Sequence, residues 1–132
     1  MAALSSPARI LVVDDFEAWR RLLCSMIRSS PDLHLVGEAS DGEEAIELAE
    51  RLKPDLVLLD IGLPKLSGIA AGRLIRKCAP RCKILFLTLE CDADLAMHAR
   101  EMGAHGCLRK SVVRNQLIAA VQSAIANRHL AG

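Results

Sequence analysis

The sequence predicts an α/β fold in which a five-stranded parallel sheet is wound on both faces by five helices. Three observations predict it. Short apolar runs and helical stripes alternate strictly along the chain, the order that parallel strands and crossover helices produce. DLVLLD (Asp55 to Asp60) is apolar throughout and bounded by carboxylates, as expected of a strand buried on both faces. The length of 132 residues, 52% hydrophobic and 25% charged, suits one domain with an ordinary core and no disulfide staples.

The elements follow in order. RILVV (Arg9 to Val13) is a β-branched run ending in Asp14-Asp15. Phe16, Leu23, Met26 and Ile27 recur at helical spacing until Ser30-Pro31 stops them. LHLVGEA (Leu33 to Ala39) is the second strand. After the Asp41-Gly42 turn, EEAIELAERL offers Ala45, Ile46, Leu48, Ala49 and Leu52 to a core, and Lys53-Pro54 ends it. The third strand is Asp55 to Asp60. The loop IGLPKLSG leads into a helix from Ile69 to Cys78, broken by Pro80, and KILFLT (Lys83 to Thr88) is the fourth strand. In DADLAMHAREMGA, Asp92 is a natural N-cap and Gly103 a C-terminal breaker. HGCLRK (His105 to Lys110) is the fifth strand, and Asn115 to Asn127 the last helix, with Leu117, Ile118, Val121, Ala124 and Ile125 inward.

Composition excludes several function classes. Seventeen basic against sixteen acidic residues leave a formal charge of +1, which is no overall nucleic-acid footprint. Apolar runs such as Leu56 to Leu59 are too short to span a bilayer, and MAALSSPARI has no basic region followed by an apolar stretch, so neither a membrane segment nor a secretory signal is expected. The five cysteines, an odd number, do not read as a disulfide framework, and Cys78 and Cys82 miss the C-x-x-C spacing. A reducing cytoplasm is the expected compartment. One Trp, two Phe and no Tyr leave the core to aliphatic residues.

In open α/β sheets, ligands bind beyond the carboxyl ends of the strands. Asp14 and Asp15 end the first strand, Asp60 the third, Thr88 the fourth and Lys110 the fifth. Each residue alone is ordinary: an N-cap, a β-former, a surface charge. Together they place three carboxylates, a hydroxyl and an ammonium at one sheet edge. Clustered carboxylates repel unless a cation neutralises them, and oxygen-only ligands favour Mg²⁺, Mn²⁺ or Ca²⁺. A lysine and a hydroxyl beside such a metal complete a cradle for a tetrahedral anion, which suits phosphoryl transfer. An aspartate can itself be the nucleophile.

These residues resemble the receiver domain of two-component response regulators. The resemblance rests on ILVVDD (Ile10 to Asp15), LVLLDIGLPKLSG (Leu56 to Gly68), LFLT (Leu85 to Thr88) and GAHGCLRK (Gly103 to Lys110), with spacings of 45, 28 and 22 residues from Asp15 through Asp60 and Thr88 to Lys110. It implies a doubly wound, flavodoxin-like sheet of strand order 2-1-3-4-5. It also implies a flexible N-terminus over 1–8, a receiver domain over 9–127 and a C-terminal tail over 128–132. By the same resemblance, Asp60 is the phosphoacceptor, and Asp15, Asp60 and the Gly62 carbonyl ligate Mg²⁺ (or Mn²⁺), with Asp14 acting chiefly through water. Lys110 pairs with Asp60 and then with the phosphoryl group, and the Thr88 hydroxyl swings toward it on activation. The implied partner is a sensor histidine kinase or a phosphotransfer protein. The chain is not expected to be an enzyme beyond its own phosphorylation and dephosphorylation. VGEASDGEEAIELA (Val36 to Ala49) looks like receivers that precede a helix-turn-helix DNA-binding domain, and so implies a role in transcription regulation. Direct DNA binding by this chain is not expected. The last helix, or the region from Asp92 to Lys110, is the candidate surface for a homodimer.

The sequence departs from the family pattern at four positions. Cys107 stands where Tyr, Phe or His usually reports phosphorylation, Leu89 where a small residue follows the hydroxyl, Ser111 where a proline follows the lysine, and Gly62 where polar residues are common. A cis peptide before a residue other than proline costs about 3 kcal/mol, so the loop after Lys110 is expected to be strained or differently shaped. Two other classes share part of this residue set. A phosphatase or phosphotransferase of the haloacid-dehalogenase type needs a second acid at the Gly62 position. A pseudo-receiver would keep the fold as a binding surface and lose the switch at Cys107.

Overall fold

The computed structural model describes the backbone of residues 6–131 and the side chains of residues 6–126. Five parallel strands, β1 (Ala8–Val13), β2 (Leu33–Ala39), β3 (Leu56–Asp60), β4 (Lys83–Thr88) and β5 (Gly106–Arg109), form one sheet in the order β2-β1-β3-β4-β5. Between and after them run α1 (Glu17–Arg28), α2 (Gly42–Leu52), α3 (Gly68–Cys78), α4 (Ala93–Glu101) and α5 (Val113–Ala131).

The two-residue period of the strands makes two cores. Ile10, Val12, Leu56, Leu58, Leu85 and Leu87 point to one face and meet Leu23 and Ile27 of α1 and Leu117 and Val121 of α5. Leu11, Val13, Val57, Leu59, Ile84 and Phe86 point to the other, against the small residues Ala45 and Ala49 of α2, Ala71 of α3 and Ala99 of α4. Every residue of β3 is buried, as its unbroken apolar run requires. Each fully buried aliphatic side chain contributes about 1.5–3 kcal/mol, so the sheet is a firm base for its own edge. Alanines and glycines on α2 and α3 bring these helices close. A Cβ on Gly72 would stand 3.0 Å from Phe86.

Helix starts obey local chemistry. Asp41, Ser67 and Asp92 each accept a hydrogen bond from the backbone N–H three residues on, capping α2, α3 and α4. Gly103, at φ +88°, turns the chain after α4 through a conformation open to glycine.

Several boundaries differ from the sequence reading: β1, β3, β5 and α3 each begin one residue from the expected position, and three differences are larger or carry more consequence. Phe16 precedes α1 rather than joining its buried stripe and is 58% exposed, because α1 begins only at Glu17. Strand β5 ends at Arg109, and Lys110–Val112 forms a 3-10 turn that runs into α5. Because that turn continues as helix, α5 begins at Val113, before the predicted Asn115, and runs to Ala131, past the predicted end at Asn127. Residues 1–5, most of the segment expected to be a flexible N-terminus, and Gly132 of the expected tail lie outside the described residues.

Candidate functional site

The carboxyl edge of the sheet is built from loops that the strands hold in place. Where β1 ends, the Asp14 N–H donates to the Ala39 carbonyl at 3.1 Å, and the Asp14 carboxylate accepts from the Phe16 N–H at 2.9 Å. This local turn buries Asp14 completely and leaves Asp15 exposed beside it. At the end of β3, the Ile61 N–H donates to the Leu87 carbonyl at 2.9 Å, and the Gly68 N–H returns to the Ile61 carbonyl at 2.9 Å. A side chain on Gly68 would collide with the Asp60 and Ile61 backbone, so only glycine lets the loop close so tightly over β3.

The consequence is a cluster. One carboxylate oxygen from each of Asp14, Asp15 and Asp60 lies within 4.8 Å of the others, and among the described residues this is the sole group of acidic, His or Cys side chains so placed. Lys110, 6% exposed, reaches in from the end of β5. Its ammonium lies 2.7 Å from Asp14 Oδ2 and 3.5 Å from Asp60 Oδ2. The Trp19 ring stands over the same ammonium at 5.4 Å from its centroid. The Gly62 N–H donates to Asp60 Oδ1 at 3.1 Å.

One ammonium does not balance three carboxylates. Burial pushes the Asp60 carboxyl up from an ordinary 3.8 to about 6. The neighbouring Asp14 charge contributes to this rise, while the Gly62 amide and Lys110 oppose it. Asp14 Oδ2 receives no well-directed hydrogen bond and is compensated by the Lys110 ammonium instead. A buried oxygen with spare acceptor capacity, two acids beside it and no sulfur or nitrogen donor in the group is the donor set of a hard divalent cation. The residues present fit such an ion.

The structure thus brings together Asp14, Asp15, Asp60 and Lys110. Lys110 pairs with Asp60 as expected, and two members make further contacts. Lys110 sits closer to Asp14 than to Asp60, because Asp14 is the more deeply buried carboxylate. The Thr88 hydroxyl donates to the Glu90 carbonyl at 3.0 Å, a contact its own β4–α4 loop supplies two residues on. Ser111 follows Lys110 through a trans peptide inside the 3-10 turn, so the loop is reshaped. Sequence reasoning missed Trp19. Its signal was its place four residues after Asp15, on the first turn of α1 facing the site.

Comparison with known proteins agrees with this geometry. The chain belongs to the response regulator receiver domain family, whose profile it matches over residues 10–122. It is 36% identical over 120 residues to the nitrate/nitrite response regulator protein NarL of Escherichia coli, covering 91% of this chain and 56% of that protein. It is 44% identical over 107 residues to a protein-glutamate methylesterase/protein-glutamine glutaminase of Myxococcus xanthus, covering 80% of this chain and 30% of that one. A LuxR-family two-component response regulator from Aurantimonas superposes with a TM-score of 0.87 at 36% identity, over 93% of this chain and 88% of that one. The chain therefore spans between about a third and just over half the length of these two curated relatives. It is the receiver, the phosphoacceptor module, of two-component response regulators, and is related to transcriptional regulators. Receivers of this family bind a divalent metal at the acidic pocket and meet histidine kinases or phosphotransfer proteins.

One sequence expectation is corrected here. The reading that excluded an enzyme does not hold, because receivers similar to this one occur within protein-glutamate methylesterases, which are enzymes. Their remaining length lies outside the part that this chain matches, so a receiver sequence cannot exclude enzymatic activity of a whole protein.

Proposed function

We propose that Asp60 accepts the phosphoryl group, from a phosphohistidine of a sensor kinase or phosphotransfer protein, and that its phosphorylation state sets a protein-interaction or dimerisation surface. The observation that carries this reading is the contact of three carboxylates within 4.8 Å with a buried lysine ammonium. An Asp60 oxygen attacks phosphorus, the P–O bond forms as the P–N bond breaks, and the imidazole leaves with the electron pair. Buried at the end of β3, Asp60 is fixed in orientation by the Gly62 amide. Lys110 is already 3.5 Å from it and pairs with the incoming phosphoryl charge. The Thr88 hydroxyl would exchange the Glu90 carbonyl for a phosphoryl oxygen. Mg²⁺, or Mn²⁺, held by Asp15, Asp60 and the Gly62 carbonyl, with Asp14 acting chiefly through water, would neutralise charge during transfer.

Arg109 is exposed beside the site and the edge opens to solvent, which suits access by a partner protein. No described helix is long and apolar enough to cross a membrane, and a cytoplasmic setting is the one that fits a kinase partner. We place the receiver unit at 9–127. Incubation with acetyl phosphate and Mg²⁺ should add about 80 Da, one phosphoryl group, to the intact protein. An adduct equal in Asp60→Ala, or none in the wild type, would refute the assignment.

A second reading has its own observation. The usual aromatic reporter is Cys107, half-buried, and Thr88 is engaged with Glu90, so the surface near α4 and β5 would respond weakly to phosphorylation. Identical solution scattering and dimerisation with and without beryllofluoride would support this pseudo-receiver behaviour.

A further inference from the structure

The five cysteines fall into two kinds. Cys24 and Cys82 are each 2% exposed, and burial pushes their thiols up to about 11 and about 12. Cys78 is turned to the Ile75 carbonyl of its own helix. These three behave as small core side chains. Cys91 and Cys107 differ in company: like Cys78 they are half-buried, but they touch one another across two segments. Sixteen residues apart in sequence, they meet because the β4–α4 connection, after leaving the sheet at Thr88, folds back over β5. The Cys91 Sγ lies 4.0 Å from the Cys107 carbonyl oxygen, and the Cys91 side chain helps to raise the Cys107 thiol.

We propose that Cys91 and Cys107 are a modification site, an oxidisable dithiol that closes to a disulfide and fastens the β4–α4 connection to β5. A Cys91 sulfur that already rests against the Cys107 backbone brings the two side chains within reach of one another, the approach a disulfide requires. A metal reading is weaker, because two thiols fill half of a tetrahedral site and no third ligand accompanies them among the described residues.

The chemistry balances with a hydroperoxide as oxidant. The Cys91 thiolate attacks a peroxide oxygen, an S–O bond forms as the O–O bond breaks, and water leaves after protonation, giving a sulfenic acid. The Cys107 sulfur then attacks the Cys91 sulfur, loses its proton, and expels the second water as the S–O bond breaks. Two thiols are oxidised and one H₂O₂ is reduced to two waters. Burial raises the Cys107 thiol, which favours Cys91 as the attacking sulfur and Cys107 as the resolving one. A dithiol reductant reverses the bond by exchange. The segment tied down would include Leu89 and Glu90, next to the Thr88 hydroxyl.

The test uses the whole chain, reduced and then exposed to limiting H₂O₂ at low protein concentration. The expected result is a loss of about 2 Da and two of the five free thiols, reversed by dithiothreitol. Tryptic mapping without reductant should join the peptides spanning 84–100 and 101–109. Cys91→Ser and Cys107→Ser should each abolish the bridge, while Cys78→Ser keeps it. Cross-linking of Cys78 to Cys82, a covalent dimer in place of an internal bridge, or oxygen addition with no loss of 2 Da would overturn the proposal. Asp60→Asn should form the bridge as well as the wild type, so the outcome does not depend on the phosphoacceptor assignment.

Discussion

Replacing Asp60 by Asn should make the metal-free protein more stable at neutral pH, although it removes the proposed phosphoacceptor. The carboxyl titrates near 6 in the fold against 3.8 for the ordinary group, because burial and the Asp14 charge penalise its ionised form. A shift of this size corresponds to about 3 kcal/mol at ~1.4 kcal/mol per pH unit. Solvent at the mouth of the site screens part of it, which leaves about 1–3 kcal/mol. The sign follows from proton uptake. Below pH 4 both folded and unfolded states hold the proton and no penalty exists. Between about pH 4 and 6 the unfolded state releases it while the folded state keeps it, so wild-type stability falls as pH rises, and above 6 the loss is complete. Asparagine carries no charge, and its carbonyl still accepts from the Gly62 amide. Urea unfolding in EDTA should therefore show Asp60→Asn ahead by about 1–3 kcal/mol at pH 7.5 and level with wild type at pH 4. Saturating Mg²⁺ should narrow the gap at pH 7.5 by stabilising the wild type through binding. A variant less stable than wild type at pH 7.5, or a gap that does not change with pH, would refute the electrostatic account.

Other expectations concern the elements around the site. Trp19→Leu removes the ring over the Lys110 ammonium, an interaction of about 0.5–2 kcal/mol, and should slow phosphorylation by acetyl phosphate several-fold, with Trp19→Phe intermediate; equal rates in all three would show the ring to be mere packing. Gly68→Ala should lower stability by about 3 kcal/mol or more in urea melts, since the clash is with backbone that cannot rotate away. Asp41→Ala, which deprives the Glu44 N–H of its cap, should cost about 0.5–2 kcal/mol and leave phosphorylation unchanged.

Much of this architecture is legible in the residues. β2 and β4 are predicted to the residue, because period and bounding polar groups coincide there. The N-caps at Asp92 and the glycine turn at 103 are equally local, decided within four residues. Boundaries went astray where a neighbouring element competes. Phe16 fits a helical stripe by spacing, yet the Asx turn at Asp14 places it before the helix. Lys110 reads as the end of a strand, yet the chain is already coiling toward α5. The Trp19–Lys110 and Cys91–Cys107 contacts are not legible for another reason, although the place of Trp19 on the first turn of α1 hints at the site. Each depends on a distance between segments far apart in sequence, and no periodicity encodes it.

The sequence by itself determined the strand–helix alternation, the burial of β3, and which side chains stand at the carboxyl edge. Those follow from local periods of two and 3.6 and from where polar residues interrupt them. Only the tertiary structure decided how the charges at that edge divide. Lys110 settles on Asp14 because full burial leaves that carboxylate the least solvated, Asp60 is left under-compensated and its carboxyl rises, and Thr88 turns to its own loop. Pairing among charges depends on distance and desolvation, and both quantities exist only once β1, β3, β4 and β5 lie side by side.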